Sequence, residues 1–214
     1  MNQVLASTDV SDIHWPSVIR HYRHSIGLKQ AAMAHDLGVT QTMISRWESG
    51  TALPSPRIQE RIFDLYWQAH STVPRSVWLE RVGRHPSLVA VINAQGRILR
   101  ASQGLQRALG CHRHDLEGRY CHEAFSGDFV TLYDTLVASG FFEGRVASAE
   151  SMDRLAFHGP DGADRGARAH GLHRPTFLRG PQIVWLYSGA SVSRSVFEDV
   201  RTRLGGPRVI RKAI

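Results

Sequence analysis

The stretch Gly27-Leu-Lys-Gln-Ala-Ala-Met-Ala-His-Asp-Leu-Gly-Val-Thr-Gln-Thr-Met-Ile-Ser-Arg-Trp-Glu-Ser-Gly50 decides the fold of the N-terminal part of the chain. Met33, Ala34 and Leu37 recur at helical intervals, which predicts a helix with one apolar face. Gly38 follows directly, and glycine readily adopts the positive φ that a tight turn needs. The stretch therefore predicts two short helices joined by a turn.

The second predicted helix carries few apolar residues. Ile44 and Trp47 lie three positions apart and form its inner face, and Thr40 is placed to cap its N-terminus. This arrangement leaves four polar side chains pointing outward, namely Gln41, Thr42, Ser45 and Arg46. A short helix that follows a tight turn and presents such side chains suits a DNA major groove.

At this point residues 15–70 resemble the helix-turn-helix of the lambda-repressor and Cro class of regulators, the XRE family. In that family a glutamine opens the first helix of the pair and contacts the DNA backbone, and Gln30 stands at that position. Lys29 replaces the serine or threonine that is common before this glutamine, and it adds a positive charge beside the backbone.

The resemblance also implies which residues of the second helix contact DNA. It assigns base contacts to Gln41, Thr42 and Arg46, and phosphate contacts or capping to Thr40 and Ser45. The chemistry fits, because glutamine can make two hydrogen bonds to the major-groove edge of adenine and arginine can make two to O6 and N7 of guanine. A threonine methyl group can also contact the methyl group of thymine.

The composition of the 214-residue chain is ordinary for a globular protein, and its length predicts a further domain of about 100 residues. No run approaches the roughly 18 apolar residues that span a bilayer, and the N-terminus lacks a secretory signal pattern. Two cysteines give no disulfide framework, which suits a reducing compartment. We therefore expect a cytoplasmic protein with no membrane partner.

The net charge of +7 is compatible with a polyanionic partner, but most of it lies downstream of the helix pair. Residues 12–70 hold six basic and five acidic residues, a net charge of only +1. The case for DNA therefore rests on the helix pair and not on bulk charge. The alternative is an antitoxin-like or sensory scaffold protein that acts mainly through protein-protein contacts.

The second half of the chain begins with a predicted hairpin. Leu88–Ile92 is rich in strand-forming residues, Asn93–Gly96 is a turn, and Arg97–Ala101 returns as a second strand. Helical patterns follow at 103–109, 113–116 and 128–139, and strand-like runs lie at 141–147, 152–159 and 182–187.

This order of elements resembles the PAS sensor fold over residues 86–193. The resemblance is carried by the hairpin at 91–98, by Leu105 to Gly118 and by a last strand at 183–191. Residues 164–180 are rich in Gly, Arg and His, depart from the pattern and are expected to form a loop. The resemblance implies a domain that dimerises the chain and senses a small ligand.

The predicted class is therefore α+β, with an all-α five-helix helix-turn-helix domain followed by a PAS-like α/β domain with an antiparallel sheet. The expected units are an XRE-type DNA-binding domain at 12–70, a linker helix at 71–85, a PAS-like domain at 86–193, and a C-terminal helix with a basic tail at 194–214. In that last unit, Val196 and Val200 are expected on one helix face, and Arg208 to Lys212 are expected to be a solvated tail.

Thiol and imidazole side chains cluster in the PAS-like region, and such groups are ligands that zinc prefers. The weak candidates for metal ligands are Cys111, His112, His114, Cys121 and His122. Their spacing fits no known structural zinc module, and cysteine is often a small buried hydrophobe, so no metal site is assigned. No cofactor is assigned either, because the helix at 128–139 contains no histidine for haem and no Asn-Cys-Arg-Phe-Leu-Gln type flavin motif is present.

The sequence shows no nucleophile elbow, no glycine-rich phosphate loop and no set of Ser, His and acidic residues that spacing alone assembles. We therefore do not expect an enzyme. The function predicted is a sequence-specific DNA-binding transcription regulator that reads the major groove of double-stranded DNA as a homodimer.

Overall fold

The computed structural model describes residues 15–70, 75–159, 161–177 and 183–212. The expected domain start at residue 12, positions 71–74 of the expected linker helix and residues 213–214 of the tail lie outside these ranges. The helices are α1 (Trp15–Ser25), α2 (Gln30–Leu37), α3 (Gln41–Glu48), α4 (Pro56–His70), α5 (Arg75–Gly83), α6 (Gln103–Leu109), α7 (Cys121–Ala124), α8 (Asp128–Ala138) and α9 (Arg194–Arg203). The strands are β1 (Leu88–Ile92), β2 (Ile98–Ala101), β3 (Phe125–Ser126), β4 (Val146–His158), β5 (Asp164–Phe177), β6 (Ile183–Ser191) and β7 (Arg208–Lys212).

Helices α1 to α4 pack around a single apolar core. Its buried side chains include Trp15, Ile19, Met33, Leu37, Ile44, Trp47 and Ile62. Gly38 ends α2 with φ at 68°, and the Thr40 hydroxyl accepts a hydrogen bond from the Met43 amide at 3.4 Å to cap α3. The two predicted helices and their turn therefore form where the local sequence places them.

The second domain is built on an antiparallel sheet with strand order β2-β1-β6-β5-β4-β3, and β7 pairs with β4 as well. Helices α6, α7 and α8 cover one face of this sheet, which we call the inner face. Its core is rich in aromatic side chains, namely Phe125, Phe129, Phe157, Trp185 and Tyr187. The predicted α+β class is confirmed.

Helix α5 packs on the opposite, outer face of the sheet. Val82 of α5 is buried against Val89, Val91 and Val184. Within the described ranges the helical core therefore draws on four helices and not on the expected five. Trp78, Leu79 and Val82 of α5 pack here because the outer face of the sheet offers a row of valines that would otherwise contact water.

The expectation of a loop over 164–180 is wrong for the described residues, because β5 is a central strand paired with both β4 and β6. The strand does alternate, but its inward-facing residues are Ala169, Gly171, His173 and Pro175 instead of the usual β-branched types. Pro175 is tolerated because the β4 pairing ends at His173, so that β5 has only β6 as a partner there.

Two further expectations are corrected. Residues 141–144 form a turn, and the strand that was expected over 141–147 starts at Val146. The basic segment Arg208–Lys212 is not a solvated tail but forms β7, which pairs with β4 from Val146 to Ser151. This segment is ordered by backbone hydrogen bonds to a strand about 60 positions earlier, which local composition does not reveal.

Helix α9 lies on the outer face against β4 and β5. The expected apolar face of Val196 and Val200 is wrong, since Phe197 is the buried residue and Val196 is 46% exposed. The Ser193 hydroxyl caps α9 by accepting from the Val196 amide at 3.4 Å.

The two domains share an apolar contact. Ile183, the first residue of β6, is buried in the helical core, and Phe142 packs against both cores. Gly144, with φ at 73°, lies so close to α1 that a Cβ there would stand 3.1 Å from Val18 Cγ2. A side chain at position 144 would therefore push the domains apart.

Candidate nucleic-acid interface

Helix α3 presents one polar face to solvent. Ile44 and Trp47 on its other face are 0% and 2% exposed and anchor it to the helical core. The residues predicted to contact DNA on this helix are all exposed, namely Thr40, Gln41, Thr42, Ser45 and Arg46. The backbone carbonyl of Arg46 accepts hydrogen bonds from Ser49 Oγ and Thr51 Oγ1, which closes the end of the helix.

A buried carboxylate at the end of α3 ties the first three helices together. Glu48 is 7% exposed, and its Oε1 accepts from Arg23 Nε of α1 at 2.6 Å. Its Oε2 accepts from Gln30 Nε2 of α2 at 2.7 Å. The Arg23 guanidinium also donates to the Leu28 carbonyl at 3.1 Å, so it bonds both to the carboxylate and to the backbone. The network sets the orientation of α3 relative to α1 and α2.

The two predicted contacts on α2 differ in their surroundings. Lys29 is exposed at the N-cap and makes no side-chain capping bond. Gln30 is half-buried and oriented by Glu48. Sequence reasoning missed Glu48 and Arg23, and only their pairing across 25 positions reveals their role.

The weak metal candidates do not form a cluster. Among the described residues, which include all five of them, no three His, Cys, Asp or Glu side chains come together in a metal-binding group. Burial raises the pKa of the Cys121 thiol to about 12. Burial, with Asp115 nearby, raises the pKa of the Cys111 thiol to about 11, although Arg165 acts in the opposite direction. Burial thus favours the protonated form of both thiols.

The inner face of the sheet holds a buried polar cluster that sequence reasoning did not find. Trp185 Nε1 donates to His173 Nδ1 at 3.0 Å, and His173 Nε2 lies 2.7 Å from Ser151 Oγ. Ser151 Oγ donates in turn to Asp153 Oδ2. Because Nδ1 accepts a hydrogen bond, the neutral ring carries its proton on Nε2 and donates to Ser151.

This arrangement brings together Ser, His and Asp side chains that the spacing of the sequence alone did not assemble into a set. Its polarity differs from that of a nucleophilic triad, since the serine proton is held by the carboxylate and the histidine ring donates to the serine oxygen. All three side chains are at most 1% exposed. The cluster therefore gives Trp185, His173 and Ser151 partners within the core. Asp153 Oδ1 has no hydrogen-bond partner among the described residues and lies 3.7 Å from Arg208 Nε.

Burial shifts the pKa values of the cluster. Desolvation, followed by the charges of Arg208 and His170, lowers the pKa of His173 to about 3. Desolvation raises the pKa of Asp153 to about 6, against the opposing effects of the Ser151 hydrogen bond and Arg208. The histidine is therefore neutral at pH 7, while Asp153 titrates close to that pH.

Two spaces lie on the two faces of the sheet. An apolar cavity of about 10 Å³ lies in the inner core beside Tyr187 and Phe129, enough for about one water-sized particle. On the outer face a groove of about 520 Å³ runs beside α5, between Trp78, Leu172 and Leu186.

Two protein-family models match the chain in sequence. The first, described as a helix-turn-helix domain, matches residues 17–70, and the second, described as a PAS fold, matches residues 83–172. The chain therefore carries a helix-turn-helix domain followed by a PAS domain, the domain pair of a DNA-binding regulator with a sensory domain. Within the described ranges, no helix has the length and apolar character needed to cross a bilayer.

Several solved structures are similar to the chain. The PAS domain of an HTR-like protein from Haloarcula marismortui is 18% identical, with coverage of 55% of this chain and 90% of that chain and a TM-score of 0.41. The PAS domain of nitrogen regulation protein NR(II) from Vibrio parahaemolyticus is 12% identical, with coverage of 54% and 98% and a TM-score of 0.40. The phage VqmA-DPO complex is 12% identical, with coverage of 61% and 58% and a TM-score of 0.41. No curated protein matches the chain.

Proposed function

We propose that the protein is a sequence-specific transcription regulator that binds double-stranded DNA as a homodimer with α3 in the major groove. The observation that carries the proposal is the exposed polar face of α3, held outward by buried Ile44 and Trp47. A helix anchored in this way can enter a groove without unfolding any part of its core.

The proposed roles follow from the position of each side chain. Gln41, Thr42 and Arg46 contact base edges, and Lys29, Gln30, Thr40 and Ser45 contact the backbone or position α3. Support for Gln30 comes from its hydrogen bond to Glu48, which orients the side chain before DNA arrives. Thr40 acts first as the cap of α3, because its hydroxyl accepts from the Met43 amide.

A homodimer is part of the proposal, because one helix pair covers only a few base pairs. Two copies on half-sites one helical turn apart raise the affinity through their joint attachment. The PAS domain supplies the contact between copies and senses a small ligand. Because the inner cavity is only about 10 Å³, a ligand there requires the core to open, whereas the outer groove beside α5 already has about 520 Å³.

The deciding experiment is selection of bound sequences from a random duplex library by the full chain. We expect a near-palindromic site with half-sites about 10 base pairs apart. A site without symmetry would contradict the homodimer, and failure to enrich any sequence would contradict specific recognition.

Arg46→Ala tests direct readout on the selected site. If Arg46 makes two hydrogen bonds to a guanine, the variant should lose about 1 to 3 kcal/mol of binding free energy at that base and should no longer prefer guanine there. Binding to a set of base-substituted duplexes measures both effects. Arg84→Ala is the control, since it removes the same charge from an exposed pair with Glu80 on α5. An equal loss on every duplex would refute base contact by Arg46.

The small net charge of the helical domain favours a second candidate, a scaffold or antitoxin-like protein that acts through protein-protein contacts. Titration with salt separates the two on random DNA. A protein that binds phosphates through several cationic side chains releases the counterions of the DNA. Its affinity therefore falls steeply as the salt concentration rises. Absence of binding to random DNA even at low salt would favour the scaffold.

A further inference from the structure

The β4–β5 hairpin forms a shallow groove on the outer face of the sheet, near its turn. Leu155 and Phe157 of β4 point into the inner core, so their neighbours Arg154 and Ala156 point outward. Ala156 lies directly opposite Gly166 of β5. These two small residues form the floor of a groove of about 390 Å³.

Two arginines stand directly opposite each other at one side of this floor. Arg154 and Arg168 are register partners across β4 and β5, and both are exposed. Within the part of the chain that the structure describes, neither guanidinium group has a carboxylate oxygen within 4.0 Å, although the backbone amide of Arg154 donates to Asp128 Oδ2 at 3.1 Å. Like charges directly opposite on paired strands are destabilising, so this pair has a cost that an anion between the two groups would offset.

The other charged groups around the groove already have partners. Arg165 pairs with Asp161, and the His158 and Asp164 side chains, 2.5 Å apart, close the side of the floor towards the turn. The Arg154 guanidinium lies over the Phe197 ring of α9, 5.9 Å from the ring centroid, at a cation–π distance.

Glu198 of α9 is an acidic group close enough to Arg154 and Arg168 for their charges to affect its pKa. Its carboxylate accepts from Arg194 Nε at 2.9 Å, and this bond, with smaller effects from Arg168 and Arg154, lowers the pKa of Glu198. Glu198 is therefore charged and paired with Arg194. Its negative charge offsets the repulsion between Arg154 and Arg168 only in part, because it contacts neither guanidinium group directly.

We propose that this groove binds a small phosphate-bearing anion between Arg154 and Arg168. Guanidinium groups present parallel N–H donors that match phosphate oxygens, and two such groups facing each other can hold one phosphate from both sides. The volume of about 390 Å³ lies in the range of small-molecule sites, and the small floor residues leave room for the ligand. The site is independent of the proposed DNA-binding function, because it lies near the turn of the hairpin, whereas the helical domain meets the sheet at Ile183.

Pyrophosphate is the probe, titrated calorimetrically into the full chain at low ionic strength. Arg154→Gln and Arg168→Gln should each weaken binding about tenfold or more, because each removes a charge-assisted pair of hydrogen bonds. Arg203→Gln is the matched control. It removes the same charge from an exposed pair with Asp199 on α9 and should leave the affinity within about twofold.

Glu198→Gln gives a test that does not depend on loss of binding. It removes the nearby negative charge and should tighten pyrophosphate binding severalfold, with a larger rise in the unfolding temperature on adding pyrophosphate than the wild type shows. The proposal is overturned if the wild type shows no saturable binding, or if all three arginine variants lose affinity equally. It is also overturned if Arg154→Gln and Arg168→Gln weaken only binding to a random DNA duplex, since the groove would then be a DNA-contacting surface.

Discussion

At the scale of single residues, Glu48 does more for the candidate interface than any exposed side chain of α3. Its carboxylate is buried and accepts hydrogen bonds from Arg23 and Gln30, so α3 is held by a charge pair between residues 25 positions apart. Removing one partner of such a pair leaves the other charge without compensation in a poorly solvated place. The orientation of α3 therefore depends on a buried residue outside its exposed polar face.

Glu48→Gln should lower the free energy of unfolding by about 3 kcal/mol, because Arg23 loses its buried counter-charge. Glu80→Gln breaks an exposed pair with Arg84 and should cost no more than about 0.5 kcal/mol. Urea unfolding of both variants measures the difference. Equal losses would show that the Glu48 pair is no more important than a surface pair.

At the scale of elements, strand β5 places His173 beside Ser151 and Asp153 of β4, and the two ionisable groups respond to pH in opposite directions. The raised pKa of Asp153 contributes stability that is full below its ordinary value of 3.8 and is lost as pH rises through about 6. The lowered pKa of His173 contributes stability that is present above 6.5 and is lost as pH falls towards 3. Between pH 4 and 6 the two contributions largely cancel.

Asp153→Asn removes one side of this balance. The unfolding free energy of the variant minus that of the wild type should rise by about 1.4 kcal/mol per pH unit from pH 4 to 6 and stay level above that. Urea unfolding at several pH values measures it. Asp161→Asn is the control, because Arg165 lowers the pKa of Asp161 below its ordinary value of 3.8, so that its contribution changes only below that pH and the difference should stay level from pH 4 to 6. A difference that is flat for Asp153→Asn would contradict the burial of its charge.

At the scale of the whole molecule, the described residues of the helical domain and the PAS domain meet where the two cores touch and where α4 lies against β5. Phe142 contacts both cores, and Ile183 continues the helical core from the start of β6. Phe142 also packs near Tyr133, whose ring lies 6.5 Å from that of Trp185 in the PAS core. A change in the PAS core thus has a packed route to α1.

Phe142→Ala should uncouple the two domains by removing the side chain that both cores share. We expect the wild type to unfold in one transition and the variant in two, followed by tryptophan fluorescence and far-ultraviolet circular dichroism. Ile210→Ala is the control, because Ile210 packs only on the PAS core and should lower the midpoint without splitting the transition. Two transitions in the wild type at the midpoints of the variant would exclude coupling through Phe142.

The helix pair and the first hairpin could be predicted from the sequence because their determinants are local. Helical spacing, Gly38 and Thr40 act within a few positions, and β1 and β2 are joined by a short turn. The candidate contacts on α3 followed from the same spacing together with the family resemblance. Strand β5 was missed because its inner positions are Ala, Gly, His and Pro, which do not produce an apolar alternation.

The pattern of neighbouring residues was thus enough to predict the helix-turn-helix unit, its outward-facing residues and a helical domain followed by a mixed α and β domain. Pairing between distant segments required the folded molecule. Only it brought Arg23 to Glu48, Ser151 to His173, Arg154 opposite Arg168 and β7 onto β4. The physical reason is that strand register and the burial of a charge depend on partners far along the chain, and a one-residue slip of register would exchange every one of the cross-strand neighbours.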